Sequence, residues 1–157
     1  MKFNVRNVLP ANTAEFNGFR LARWLTVPFL VVAIVRSCIH LFSADGGAQS
    51  IAGIDIAVEG GNNIIALFHQ WGAIQLILAL VLTILFVRYP GLTPLVLLAL
   101  VADPILRDVA GQIMPVTSTT TPPGAALNAP VFFAVSLLFV LSLFEHNPSE
   151  KVTIRTK

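Results

Sequence analysis

Nine side chains capable of chemistry stand in stretches that are otherwise apolar: Arg36 and His40, then His69, Gln70 and Gln75, then Asp103, Arg107, Asp108 and Gln112. Two imidazoles on adjacent helices, His40 and His69, could be the axial ligands of a haem b. They could also be two legs of a metal site completed by Asp103 or Asp108. The plainer alternative is that each histidine bonds to a neighbouring carboxylate or carbonyl. Ionisable groups inside an apolar bundle also suit proton or ion paths and ligand sites. Asp103 and Asp108, beside Arg107 and His69, could form such a relay or hold an anionic or quinone head group; equally, they could be a polar network that fixes helix register. The chain contains no HExxH, no P-loop, no dinucleotide glycine fingerprint, no GxSxG and no paired-cysteine motif, so the pattern names no reaction.

The elements that carry these groups are membrane-like. The chain is 55% hydrophobic and 11% charged, about half the charge of a soluble domain. Its 157 residues suffice for one domain. The expected fold is an all-α integral membrane protein, a four-helix up-down bundle with spans at about 24–42, 64–87, 94–114 and 129–146. The net charge of +2 does not indicate a nucleic-acid binder, because the basic residues cluster at loops and ends. The single cysteine, Cys38, has no partner for a disulfide or a zinc pattern. Its neighbours resemble a lipoprotein cleavage box only loosely: Arg36 is wrong for one, and the preceding chain is long for a signal peptide.

Taken in order, Asn12-Thr13-Ala14-Glu15 has capping-box spacing and predicts a helix starting near residue 13 and running into the membrane. Arg20 and Arg23 would then snorkel to headgroups. Pro28 falls near the start of the first span, where a missing amide costs little. Residues 43–63 form a glycine-rich outer loop, in which Ile54 to Glu59 alternates apolar and polar like an extended lid across the bundle mouth. Asn62 or Asn63 could cap the second span, and Thr93 the third, with Pro94 at its first position. The short 88–93 turn makes spans two and three antiparallel neighbours. Residues 115–128 form a second outer loop of low complexity. Span four is short and is expected to extend to His146.

Of ten Lys and Arg, eight lie in the N-terminus, the 88–93 turn and the C-terminal tail, and the two outer loops have none. The positive-inside rule therefore places both termini in the cytoplasm of a bacterial-type inner membrane. Nearly every intramembrane polar group then falls in the outer half. Three charges in span three could cost about 9 kcal/mol against about 5 recovered from its Leu, Ile and Val, so neighbours must shield it. Asp103 and Arg107 are four apart and can pair, leaving Arg36 to meet Asp108 or Asp103 across helices. With both aspartates counted, the charges sum to zero. At about 100° per residue, Asp108 and Gln112 lie about 140–180° from the Asp103 side and could face a water-filled cleft or a partner. Asp103-Pro104 predicts a kink, or else a helix that restarts inside the membrane. Gly72 and Gly111 would permit close helix approach. The function expected is that of a small subunit or accessory protein of a larger membrane complex, or of a homo-oligomer. The alternative is a redox or ligand-binding membrane protein that uses haem b, a metal ion or quinone.

Overall fold

The computed structural model describes residues 2–145. These residues are mostly helical, 68%, with five α-helices among them: α1 (Arg20–Phe42), α2 (Gly61–Arg88), α3 (Thr93–Ile113), the single turn α4 (Pro123–Ala126) and α5 (Asn128–Ser142). Two of them, α1 and α2, are long and apolar enough to cross a membrane. At 1.5 Å per residue they extend ~35 and ~42 Å, against a hydrocarbon core of about 30 Å. Only 22% of each apolar window is buried within the chain, unlike the core helix of a soluble protein. Large apolar side chains such as Trp24, Val32, Leu67, Ile74 and Ile84 face outward instead.

The four longer helices run alternately between two ends. At the terminal end, the short strand β1 (Lys2–Phe3) pairs antiparallel with β2 (Phe144–Glu145). There too, the amide of Gly91 in the α2–α3 turn donates to the Thr13 carbonyl at 2.9 Å. At the opposite, loop end, the Thr119 amide donates to the Gly53 carbonyl at 2.9 Å and fastens the two long loops together. α1 packs chiefly on α2, and α3 on α5. Two apolar clusters join these pairs near the terminal end: Ala22, Leu97 and Leu138, and Leu30, Phe86 and Val96. The hydroxyls of Thr26, Ser37 and Thr83 donate to carbonyls four residues back, which satisfies them in apolar surroundings.

Several expectations about boundaries are overturned. No helix starts near residue 13. The Asn12 side chain does accept the Ala14 amide, but the carbonyl of Thr13 goes to Gly91 and residues 12–19 stay irregular. Arg23 does not snorkel. Its guanidinium donates to the Phe86 carbonyl (2.8 Å) and the Thr93 hydroxyl (2.6 Å), and lies 4.1 Å from the Phe86 ring centroid. The reason is Pro90, four residues after Phe86: with no N–H, it leaves that carbonyl without its helical donor, and Arg23 supplies one.

The cap of α2 is Gly60, at φ +80°, and Asn62 and Asn63 lie inside the helix. Leu92 precedes α3 in the cap position, and Thr93 is already helical, its hydroxyl donating to the Pro90 carbonyl. Residues 54–59 pair with no strand among the described residues. α3 continues through Pro104, so it does not restart inside the span. α5 ends at Ser142 instead of reaching His146, because the chain turns there to pair with the N-terminal strand; His146 itself lies outside the described residues. Pro130, with no amide for the Ala126 carbonyl, accounts for the break between α4 and α5.

Candidate functional site

α1, α2 and α3 each bring a polar group to one place in the half of the bundle nearer the loop end. From α1, Arg36 Nη2 donates to Gln75 Oε1 of α2 at 3.1 Å and lies 3.9 Å from Asp103 Oδ1 of α3. From within α3, Arg107 forms an ion pair through Nη2 with the other oxygen of Asp103, one helical turn away. Arg107 Nη1 also approaches the Gly124 carbonyl of α4 at 3.5 Å. The Arg36 guanidinium stands 5.8 Å from the Trp71 ring centroid. Asp103 is therefore the meeting point of two arginines. Its side chain is 45% exposed, against 29% for Arg36 and 28% for Arg107, so the cluster opens to one side of the bundle.

Asp108 does not belong to this cluster. Its Oδ2 accepts from Gln112 Nε2 at 2.7 Å on an exposed face of α3, so of the two partners open to Arg36 it is Asp103, and not Asp108, that Arg36 approaches. The helical phase explains this: a residue five after Asp103 points away from it. The cluster's formal charge is accordingly +1, two arginines against one aspartate, and not zero. Gln70 is exposed, and no hydrogen bond involves its side chain among the described residues.

The two histidines are each bound to a backbone carbonyl. His40 Nδ1 lies 2.7 Å from the Gly46 oxygen, and His69 Nδ1 lies 2.9 Å from the Leu41 oxygen. A carbonyl can only accept, so Nδ1 carries the proton on both rings. The α1 C-terminus leaves its last carbonyls without helical donors, and His69 supplies one. His40 is buried and packs 4.6 Å from the Trp71 ring centroid. The turn that receives it needs glycine: Gly46 and Gly47 have φ +60° and +78°, and a Cβ at Gly46 would sit 2.7 Å from Phe68 Cβ. Among the described residues, no three His, Cys, Asp or Glu side chains form a group able to hold a metal ion.

Trp71 carries no motif in the sequence, although its ring packs on His40 and stands beside the Arg36 guanidinium. Its spacing of four from Gln75 was the available signal, since it places both on one face of α2. The glycines separate as well. A Cβ at Gly72 would lie 2.6 Å from the Leu41 amide nitrogen, so α1 and α2 touch there, whereas one at Gly111 would meet nothing within 4 Å among the described residues. Gly111 therefore does not serve close helix packing among the described residues. No protein-family model matches the chain, and neither does any curated protein or solved structure.

Proposed function

We propose that the chain is a four-span protein of a bacterial-type inner membrane, with both termini cytoplasmic. Its role is that of a subunit or accessory protein in a larger membrane assembly, seated along the outer half of α3. The observation that carries this reading is the uncovered state of that half-helix. Residues 105–113 are exposed or half-buried throughout, and Asp108 and Gln112 stand among Ile105, Leu106, Val109 and Ile113 with no other helix over them among the described residues. Lipid would penalise that polar pair, while a partner helix could satisfy it, and the bare side of Gly111 admits close approach. The fourth span comprises α4 and α5 together, residues 123–142, a path of twenty residues interrupted at Leu127. The basic residues of the terminal end, Lys2, Arg6, Arg20, Arg23 and Arg88, set the orientation.

The test is a photo-crosslinking amino acid placed at Val109 in cells, with Leu80 of α2 as an exposed control. An adduct at twice 16.9 kDa identifies a second copy, and one of another discrete mass a different subunit. Lipid adducts alone at Val109, matching those at Leu80, would overturn the reading.

A redox or ligand-binding role on haem b, a metal ion or quinone is the second reading, and one observation favours it. With Nδ1 protonated and held by a carbonyl, the lone pair of each neutral imidazole is on Nε2, the arrangement of a metal-ligating histidine with its supporting bond in place. A Soret band in the purified protein that His40→Ala and His69→Ala each abolish would establish it. A colourless protein purified from haem-replete cells would remove the haem form.

A further inference from the structure

Arg36 is under-used where it stands. Of its donors, only those on Nη2 have a partner among the described residues, and Nε is buried with none. At 3.9 Å its contact with Asp103 is a charge contact too long for a hydrogen bond, because the carboxylate is turned to Arg107. Two guanidiniums thus converge on one carboxylate, with a net positive charge and fork-shaped donors left over. Such a surplus is costly in an apolar bundle unless an anion completes it.

Position narrows the anion. Arg36 lies seven residues before Ser43 at the end of α1, and Arg107 seven before Met114 at the end of α3, which puts both ~10 Å below the loop-end boundary. Long arginine stems extend toward such a boundary, where headgroup phosphates lie and where soluble oxyanions can enter. The open side of Asp103 leaves the approach free.

We propose that Arg36 and Arg107 form a binding site for a phosphate-type oxyanion, with Asp103 holding the two arginines together and competing with the ligand for them. Gln75 orients Arg36, and Trp71 backs its guanidinium. The proposal rests on the reading of the chain as a membrane protein. Its test is made on the purified full chain in detergent, so that partner loss in the crosslinking experiment and anion loss here are separate results.

Binding is measured by native mass spectrometry with phosphatidylglycerol, with phosphatidylcholine, and by competition with millimolar inorganic phosphate. The expected result is preferential retention of phosphatidylglycerol, reduced about tenfold or more by Arg36→Gln or Arg107→Gln, in line with loss of a charge-assisted bond. Asp103→Asn is expected to strengthen binding, a direction that misfolding cannot produce. Displacement by phosphate assigns the site to soluble oxyanions, and lack of displacement assigns it to the lipid head group; both support the shared chemistry. Binding indifferent to both arginine substitutions, no binding of either probe, or weaker binding in Asp103→Asn would overturn it.

Discussion

Replacing Arg23 by leucine removes a side chain that ties α1 to the α2–α3 turn through three groups: the Phe86 carbonyl at 2.8 Å, the Thr93 hydroxyl at 2.6 Å and the Pro90 carbonyl at 3.4 Å. Charge-assisted bonds contribute about 1.5–3 kcal/mol each, and an orphaned buried carbonyl costs about 1–3. Relief of the desolvation of a half-buried cation offsets part of this, and leucine keeps the contact with the Phe86 ring. The net expectation is a loss of about 2–3 kcal/mol. Equilibrium unfolding in mixed micelles, followed by tryptophan fluorescence, measures it. A second substitution makes the test specific. Pro90→Ala restores an amide four residues after Phe86, so it should recover about 1 kcal/mol in the Arg23→Leu background that it does not give in the wild type. A leucine variant within about 0.5 kcal/mol of wild type, or a cycle with no coupling, would refute the reasoning.

Other outcomes follow from the same geometry. Gly72→Ala should destabilise by about 1–3 kcal/mol, since its methyl would meet backbone of α1 at 2.6 Å, whereas Gly111→Ala should be neutral or stabilising by up to about 1 kcal/mol; micellar unfolding of both variants checks the contrast. Asp45 is held at a pKa of about 2, below the ordinary 3.8, chiefly by the Ser50 amide, with the Gly47 and Gln49 amides and the Ser50 hydroxyl adding to it. A depressed carboxylate stabilises the folded loop fully above its unfolded value and loses that contribution as pH falls through the folded value. Amide exchange at Gly47, Gln49 and Ser50, corrected for intrinsic rates, should thus show constant protection from pH 7 to about 4 and a decline between about 4 and 2. Asp45→Asn should abolish that decline. Exchange of Arg36 with Asp108 is not expected to rescue the single charge reversals, because the two side chains do not meet; growth or assembly in the double variant reads this out.

What the sequence made legible was what hydropathy, glycine and charge position control. The stretches that became α1, α2 and α3, the two loops at one end and the basic residues gathered at the other depend on local composition, and composition survives without coordinates. The pairing of Asp103 with Arg107 was legible because spacing of four is fixed by the helix. The misses required knowledge of what lies opposite. Asn12 opens a turn that would start a helix elsewhere, but Gly91 claims the Thr13 carbonyl. Arg23 has the position of a headgroup anchor, but Pro90 leaves the Phe86 carbonyl bare beside it. Gly72 and Gly111 are alike in sequence, and only the presence of α1 against one of them tells them apart. Asp103 and Asp108 were equal candidates for Arg36 because the rotation of α3 about its axis is set by packing on α5, which no pattern within α3 encodes.

Orientation decides most, because the outer position proposed for the arginine cluster and for the uncovered α3 face follows from it. The direct measurement is cysteine accessibility in intact cells, with Cys38→Ser as background so that a single introduced thiol reports. Thr117→Cys and Val58→Cys lie in the loop-end segments, and Glu15→Cys lies in the N-terminal arm. A membrane-impermeant maleimide should label the first two in intact cells and the third only after the membrane is opened. Labelling of Glu15→Cys from outside, or protection of both loop-end thiols, would contradict the account.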